Sequence, residues 1–263
     1  MGGVVRDAAV ASPEKRAAVI AWEEQDNVRF TRQYTAPLLA RLIGPPSAKG
    51  SVLSVGCGVG IDVDVLVDLG WDAYGIEPGY RAEAWARRRH RDRLKAVDGR
   101  ALPWEDGRFD AATSYGVIEH VGAVGDSVEV QDDVWQARVD FAREVARVVR
   151  PGGSIVLSTP NRLFPIDFFH GTDRFGLRWH SPKERFTLSF DDMRRLFVDE
   201  AGCRSITSIS QDRAFVFARS KTHLWGRMLA APTRGVLART GTRALAPLAR
   251  TPVMPFLIVR IER

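Results

Sequence analysis

The sequence predicts an α/β fold in which a mostly parallel β-sheet carries helices on both faces. Three observations predict it. From Ser51 onward, short apolar runs of strand length alternate with helix-length segments. The first of these runs, SVLSV, ends in glycines at alternate positions, Gly56, Gly58 and Gly60, as a buried strand does when it turns sharply into a helix. Acidic residues, Glu77 and Asp98, close the second and third runs. At 263 residues the chain is long enough for one full domain of this kind.

Residues 1–11 read as a loose leader. Ser12-Pro13-Glu14 has the cap and the first-turn proline of a helix start, and helical spacing runs to about Gly44 with an interruption near Pro37. Pro45-Pro46-Ser47 is a linker, which divides the chain into N-terminal helices over 1–46 and a main domain over 47–263. IDVDVLVDL reads as a helix ended by Gly70, and WDAYGIEPG as the second strand. Residues 80–92 read as a very basic helix, LKAVDG as a third short strand, and FDAATSYGVIEHV as a fourth strand running into a loop. Residues 132–149 form an amphipathic helix with Val134, Phe141, Val145, Val148 and Val149 on its apolar side, stopped by Pro151-Gly152-Gly153. SIVLSTPN is the fifth strand. After an irregular stretch, FTLSFDDMRRLFVDEAG holds a helix closed by Gly202, RSITSISQ is the sixth strand, and PFLIVRIER is a candidate seventh.

The composition, 45% hydrophobic and 27% charged, is that of an ordinary globular protein. The net charge of +6 is unevenly spread: residues 214–263 hold nine basic side chains against the single acid Glu262, and the remainder is slightly acidic. This disfavours a general nucleic-acid-binding body and favours a local basic appendage. Leu224, Trp225, Met228 and Leu229 share one face of a helix flanked by Lys221 and Arg227, so residues 221–250 are a candidate for peripheral contact with an anionic membrane. Two cysteines, Cys57 and Cys203, are too few for a disulfide framework or a cysteine zinc site. No apolar stretch approaches the roughly 18 residues of a membrane span. The N-terminus lacks the apolar core of a secretory signal, and Arg6 stands where a myristoylation signal wants Ser or Thr. The expected location is cytoplasmic, with the basic segment either a membrane-surface contact or a helix packed on the domain or on a second copy.

In an α/β sheet of this type a ligand sits beyond the carboxyl ends of the strands. The glycines of GCGVG allow close backbone approach there, and the next helix points its first amides at whatever is bound. Glu77 can accept both hydroxyls of a ribose, and Asp98, followed by Gly99, can accept from an adenine amino group. The spacing G-x-G-x-G differs from the dinucleotide G-x-G-x-x-G, whose next small residue would fall on Ile61.

These residues together resemble the class I S-adenosylmethionine-dependent methyltransferases, over about 50–161 and more loosely beyond. VLSVGCGVG is similar to the family's first motif, and Tyr74-Gly75-Ile76-Glu77-Pro78 to its second. Asp98-Gly99-Arg100-Ala101-Leu102-Pro103 with Phe109-Asp110 resembles the adenine-binding stretch, Tyr115-Gly116-Val117-Ile118-Glu119-His120-Val121 the loop after strand four, and Arg147-Val148-Val149-Arg150-Pro151-Gly152-Gly153 the turn before strand five. The resemblance implies a Rossmann-like seven-stranded sheet in the order three-two-one-four-five-seven-six, with strand seven antiparallel. It also implies S-adenosylmethionine as cofactor, held by Gly56, Gly58, Gly60, Glu77, Pro78, Asp98, Gly99 and Tyr115. The N-terminal helices, with Trp22, Phe30 and Tyr34, become a candidate lid, or else pack against the sheet edge. The family's acid two places before the first glycine is Ser54 here, so another residue or a water must serve the methionine amino group.

Methyl transfer from a sulfonium needs the acceptor held in line, and a hydroxyl acceptor also needs a base. His120 is the first candidate base and His170 the second. Asp167 is read mainly as a turn former. No metal site is assigned: Glu119-His120 matches a pair that binds a divalent metal in some quinone O-methyltransferases, but Gly116 stands where a further acid is expected. An insertion at about 162–186, with Phe164, Phe168, Phe169, Phe175 and Trp179, is the expected acceptor pocket or else an aromatic satellite core, and a basic insertion spans about 214–250. The expected activity is O-methylation of a small-molecule or lipid-like acceptor. A nicotinamide-dependent oxidoreductase and a non-catalytic cofactor-binding or scaffold protein are the alternatives.

Overall fold

The structure is a computed structural model that describes residues 13–125, 127–171, 177–209, 242 and 244–263. The leader 1–11, Phe175 and most of the basic segment expected to touch membranes lie outside the described residues.

The chain begins with helix α1 (Pro13–Phe30), passes through a π-helical turn (Thr31–Thr35) and continues as α2 (Ala36–Ile43). The interruption expected near Pro37 is this wider turn. Proline lacks an N–H and its ring crowds the carbonyl four residues earlier, and one extra residue in the turn relieves both without ending the helix. Strand β1 (Ser51–Val55) is buried along its whole length. It leads through the glycine turn into α3 (Ile61–Leu69), which Gly70 closes in the left-handed conformation at φ 107°. Then come β2 (Asp72–Ile76), β3 (Leu94–Lys95), β4 (Phe109–Tyr115), α4 (Val134–Val148), β5 (Val149–Pro160), the short pair β6 (Ile166–Asp167) and β7 (Arg178–Trp179), α5 (Phe190–Arg194), β8 (Ser205–Ser208) and β9 (Phe256–Glu262).

Seven strands form one sheet in the order β3-β2-β1-β4-β5-β9-β8, the order the family resemblance implies, and β9 runs antiparallel to both of its neighbours. Alternation along β1 explains the two covered faces. Leu53 and Val55 pack with Phe141 and Val145 of α4 and with Met193 of α5. Val52 points the other way, into a cluster with Leu39 of α2 and Val63 and Leu66 of α3. Phe30, Tyr34 and Leu38 cover Val156 and Ile258 on that same side, so the N-terminal helices supply core as well as cover.

Two expectations are corrected. Residues 80–92 do not form an α-helix; they make 3₁₀ turns at Tyr80–Arg87 and Arg91–Arg93. Arginines at i,i+4 spacing repel on an α-helix. Here they are spread to separate acids, Arg88 to Glu24 and Arg89 to Asp68. Helix α4 ends at Val148, and Val149 is already the first residue of β5, ahead of Pro151-Gly152-Gly153 rather than stopped by it.

Candidate cofactor and acid–base site

The glycine turn follows β1 directly. Gly56, Gly58 and Gly60 all have positive φ, at 74°, 52° and 74°. A Cβ on Gly60 would fall 2.6 Å from Leu94 Cδ1, and one on Gly56 would collide with Val117. The turn is fastened from outside by the Trp85 indole, which donates to the Gly58 carbonyl at 2.9 Å. Ser54, at the end of β1, donates its hydroxyl to the carboxylate of Asp62 in the first turn of α3. Burial lifts the Asp62 carboxyl to about 6, against the hydrogen bonds from Ser54 and Val63.

Glu77 follows β2 and is buried. Its Oε1 accepts from the Gly79 amide at 2.8 Å, and burial raises its pKa despite the nearby Arg81. Pro78 beside it is exposed. Asp98 is exposed and tied to Arg100, whose Nη2 donates to Oδ2 at 2.7 Å; that guanidinium lowers its pKa. Gly99 has a packing role visible in the structure: a Cβ there would lie 2.7 Å from the Phe141 ring. Tyr115 ends β4 with its ring edge-on to Phe30 at 5.0 Å, beneath the N-terminal helices.

The two candidate bases meet. His120 closes the short turn Ile118–His120 after β4, and His170 follows β6. Their Nε2 atoms are 3.1 Å apart, and Phe186 packs edge-on against both rings, at 5.3 and 4.9 Å. Behind them, Asp167 Oδ2 lies 2.8 Å from His170 Nδ1. Asp167 also caps its own turn, accepting from the Phe169 and His170 amides at 2.9 and 3.2 Å, so the expected turn role and an orienting role coincide. Arg178 donates to Asp167 at 2.9 Å and to Glu184 at 2.6 Å. The His170 and Arg178 hydrogen bonds hold the Asp167 carboxyl far below its usual range, against the opposing effect of burial. Burial, reinforced by His170 and Arg81, pushes His120 down to about 3.

An ionised Asp167 can only accept, so His170 Nδ1 carries a proton. A neutral His170 then accepts at Nε2, the proton between the rings belongs to His120 Nε2, and His120 Nδ1 keeps a lone pair. Ligand atoms of Glu119, His120 and His170 also lie within 4.8 Å of one another, close enough to share a cation. Trp179 is 72% exposed, and Phe168 and Phe169 are exposed as well, so this part of the insertion is an open aromatic surface and not a buried cluster. The sequence reading missed Glu23, Asp62, Arg81, Arg178 and Glu184.

The fold and the turn define a class: an α/β protein with a seven-stranded, mostly parallel sheet and a glycine turn at the end of β1. Residues 28–208 match the family described as a methyltransferase domain, and the chain belongs to that family. A probable S-adenosylmethionine-dependent methyltransferase of Mycobacterium tuberculosis is 30% identical over 159 residues, 60% of this chain and 50% of that protein. A ubiquinone biosynthesis O-methyltransferase of Pseudomonas paraeruginosa is 32% identical over 118 residues, 43% of this chain and 45% of that one. The chain thus spans about half the length of the curated relatives it matches. Among solved structures, a putative methyltransferase of Haloferax volcanii, in complex with the Trm112 activator, superposes with a TM-score of 0.52 at 16% identity, covering 94% of this chain and 97% of that one. The 1,6-didemethyltoxoflavin N1-methyltransferase of Burkholderia thailandensis gives 0.50 at 16% identity, covering 98% of this chain and 93% of that one. At such identity these two show the shared fold. No helix among the described residues is long and apolar enough to cross a membrane.

Proposed function

We propose that this chain is an S-adenosylmethionine-dependent methyltransferase acting on an oxygen of a small-molecule or lipid-like acceptor. S-adenosylmethionine, when bound, supplies a methyl group activated by a positive sulfur. Support for the cofactor comes from the family, from the turn of three left-handed glycines at the end of β1, and from the buried carboxylate of Glu77 beside it. Gly56, Gly58 and Gly60 would line it, and Glu77 would accept from the ribose hydroxyls.

The single observation that carries oxygen as the acceptor atom is the chain Asp167–His170–His120. A hydroxyl must give up a proton to become a strong nucleophile. His120 alone is a poor base, because burial disfavours its charged form. The chain removes that difficulty. His120 takes the acceptor's proton at Nδ1 and passes its Nε2 proton to His170 Nε2. The positive charge then rests on His170, 2.8 Å from the Asp167 carboxylate. The exposed Phe168, Phe169 and Trp179 suit an aromatic or lipid-like acceptor. The O-methyltransferase named among the relatives points the same way.

The test is methyl transfer from labelled S-adenosylmethionine to a panel of phenols, catechols and prenylated phenols, compared between the native chain and His120→Asn. Transfer to oxygen that falls about 10²–10⁴-fold in the variant supports the reading. Transfer only to nitrogen or carbon acceptors, insensitive to the substitution, contradicts it. A second reading, a divalent cation on Glu119, His120 and His170, rests on the convergence of their ligand atoms. Activity abolished by a chelator and restored by a divalent ion would favour it.

A further inference from the structure

Helix α1 brings a carboxylate to the glycine turn. Glu23 is only 9% exposed. Its Oε1 accepts from Arg81 Nε at 2.6 Å. Its Oε2 is buried and has no hydrogen-bond partner. That oxygen stands directly over the turn, because a Cβ built on Gly58 would lie 2.8 Å from it. Two more carboxylates, Asp62 and Glu77, border the same turn, and the charge of Glu23 makes both harder to ionise. Ser54 brings no charge, and its hydroxyl is spent on Asp62.

A carboxylate oxygen that has lost water and gained no donor is costly to keep buried. A ligand that brings a donor to this point would restore the lost hydrogen bond, and a cationic donor would also offset the surplus of negative charge. The amino-acid end of S-adenosylmethionine carries such a group. We propose that Glu23 is a ligand of the bound cofactor, its Oε2 accepting a hydrogen bond from the cofactor's α-ammonium group. This rests on the cofactor reading above and goes beyond it, since it gives the N-terminal helix a direct contact with the ligand. Helix α1 is held in place for that contact by ion pairs to the segment after β2: Arg16 with Glu83 at 3.5 Å, Glu23 with Arg81, and Glu24 with Arg87 at 3.0 Å.

The test is calorimetric titration of the full chain and of Glu23→Gln with three ligands: S-adenosylmethionine, S-adenosylhomocysteine and methylthioadenosine. The last keeps the nucleoside and sulfur but has no amino-acid end. Thermal unfolding without ligand shows whether the variant is folded. Glu23→Gln keeps the shape and removes the charge, so the first two ligands should each weaken about 10- to 100-fold while methylthioadenosine binds unchanged. If all three bind as to the native chain, the contact does not exist. If all three weaken alike, Glu23 only shapes the pocket, and the proposal is overturned. If the native chain binds none of them, the cofactor reading itself falls. Should Glu23→Gln not fold, Glu23→Asp, which keeps the charge and draws it back by one methylene, is read by the same pattern.

Discussion

The Nε2 atoms of His120 and His170 face each other at 3.1 Å, across the gap between the loop after β4 and the turn after β6. Two imidazoles at this distance must differ in role, one donating and one accepting. With His170 neutral, Asp167 decides which, by fixing its proton on Nδ1. The pair is then directional, from the half-buried His120 toward the carboxylate.

Asp167→Asn should slow turnover without loosening the fold or the cofactor. The carboxylate orients the His170 ring through Nδ1 and faces the charge that the proton relay leaves on it. We expect kcat to fall at least about tenfold with the melting temperature and S-adenosylmethionine affinity little changed. A fall in kcat matched by lost cofactor binding or a lowered melting temperature would assign Asp167 to the fold alone.

Acid stability provides a second check on His120. In the unfolded chain its imidazole takes up a proton near pH 6.5, whereas in the folded chain it does so only at about 3. Between those values the unfolded state binds more protons, so this residue costs stability as pH falls. Compared with the native chain, His120→Asn should therefore gain about 1 kcal/mol between pH 7 and pH 5.5. Parallel stability curves for the two proteins across that range, measured by urea unfolding with a chelator present, would contradict the assignment.

Asp62 carries the opposite sign. Its folded carboxyl titrates at about 6, above its usual range, so the folded state binds the extra proton between roughly pH 4 and 6 and the cost of the buried charge is complete above that. Without ligand, Asp62→Asn should be more stable than the native chain by about 1–3 kcal/mol at pH 8, and the difference should vanish near pH 4. Unfolding midpoints that do not converge on acidification would show that Asp62 is not strained by its burial.

The glycine turn tolerates no side chain. Gly60→Ala places a methyl 2.6 Å from Leu94 Cδ1 on a residue at φ 74°, so a loss of about 1–3 kcal/mol in unfolding free energy is expected. A melting temperature unchanged from the native chain would mean that the turn relaxes freely.

Most of the fold was legible because its signals are local. Strand-length apolar runs, the glycines after Val55 and Gly70, and the acid at Glu77 each state a backbone requirement in a few residues. The order of the strands in the sheet followed from the family resemblance and not from local pattern. The segment 80–92 misled because its alanines and arginines favour a helix, and only the distant acids Glu24 and Asp68 draw it into tighter turns. The site was half legible. His120 and His170 were each visible as candidates, but their meeting depends on a tertiary turn about Asp167 and Arg178 that no spacing records. Glu23 was invisible for the same reason, since a glutamate on an amphipathic helix normally faces water.

Titration of the native chain and of Glu77→Ala with S-adenosylmethionine tests the central assignment most directly. The native chain should bind saturably, with a dissociation constant of about 1 µM–1 mM, and the variant at least about tenfold more weakly as the ribose hydroxyls lose their acceptor. No binding by the native chain, or equal binding by both proteins, would contradict it.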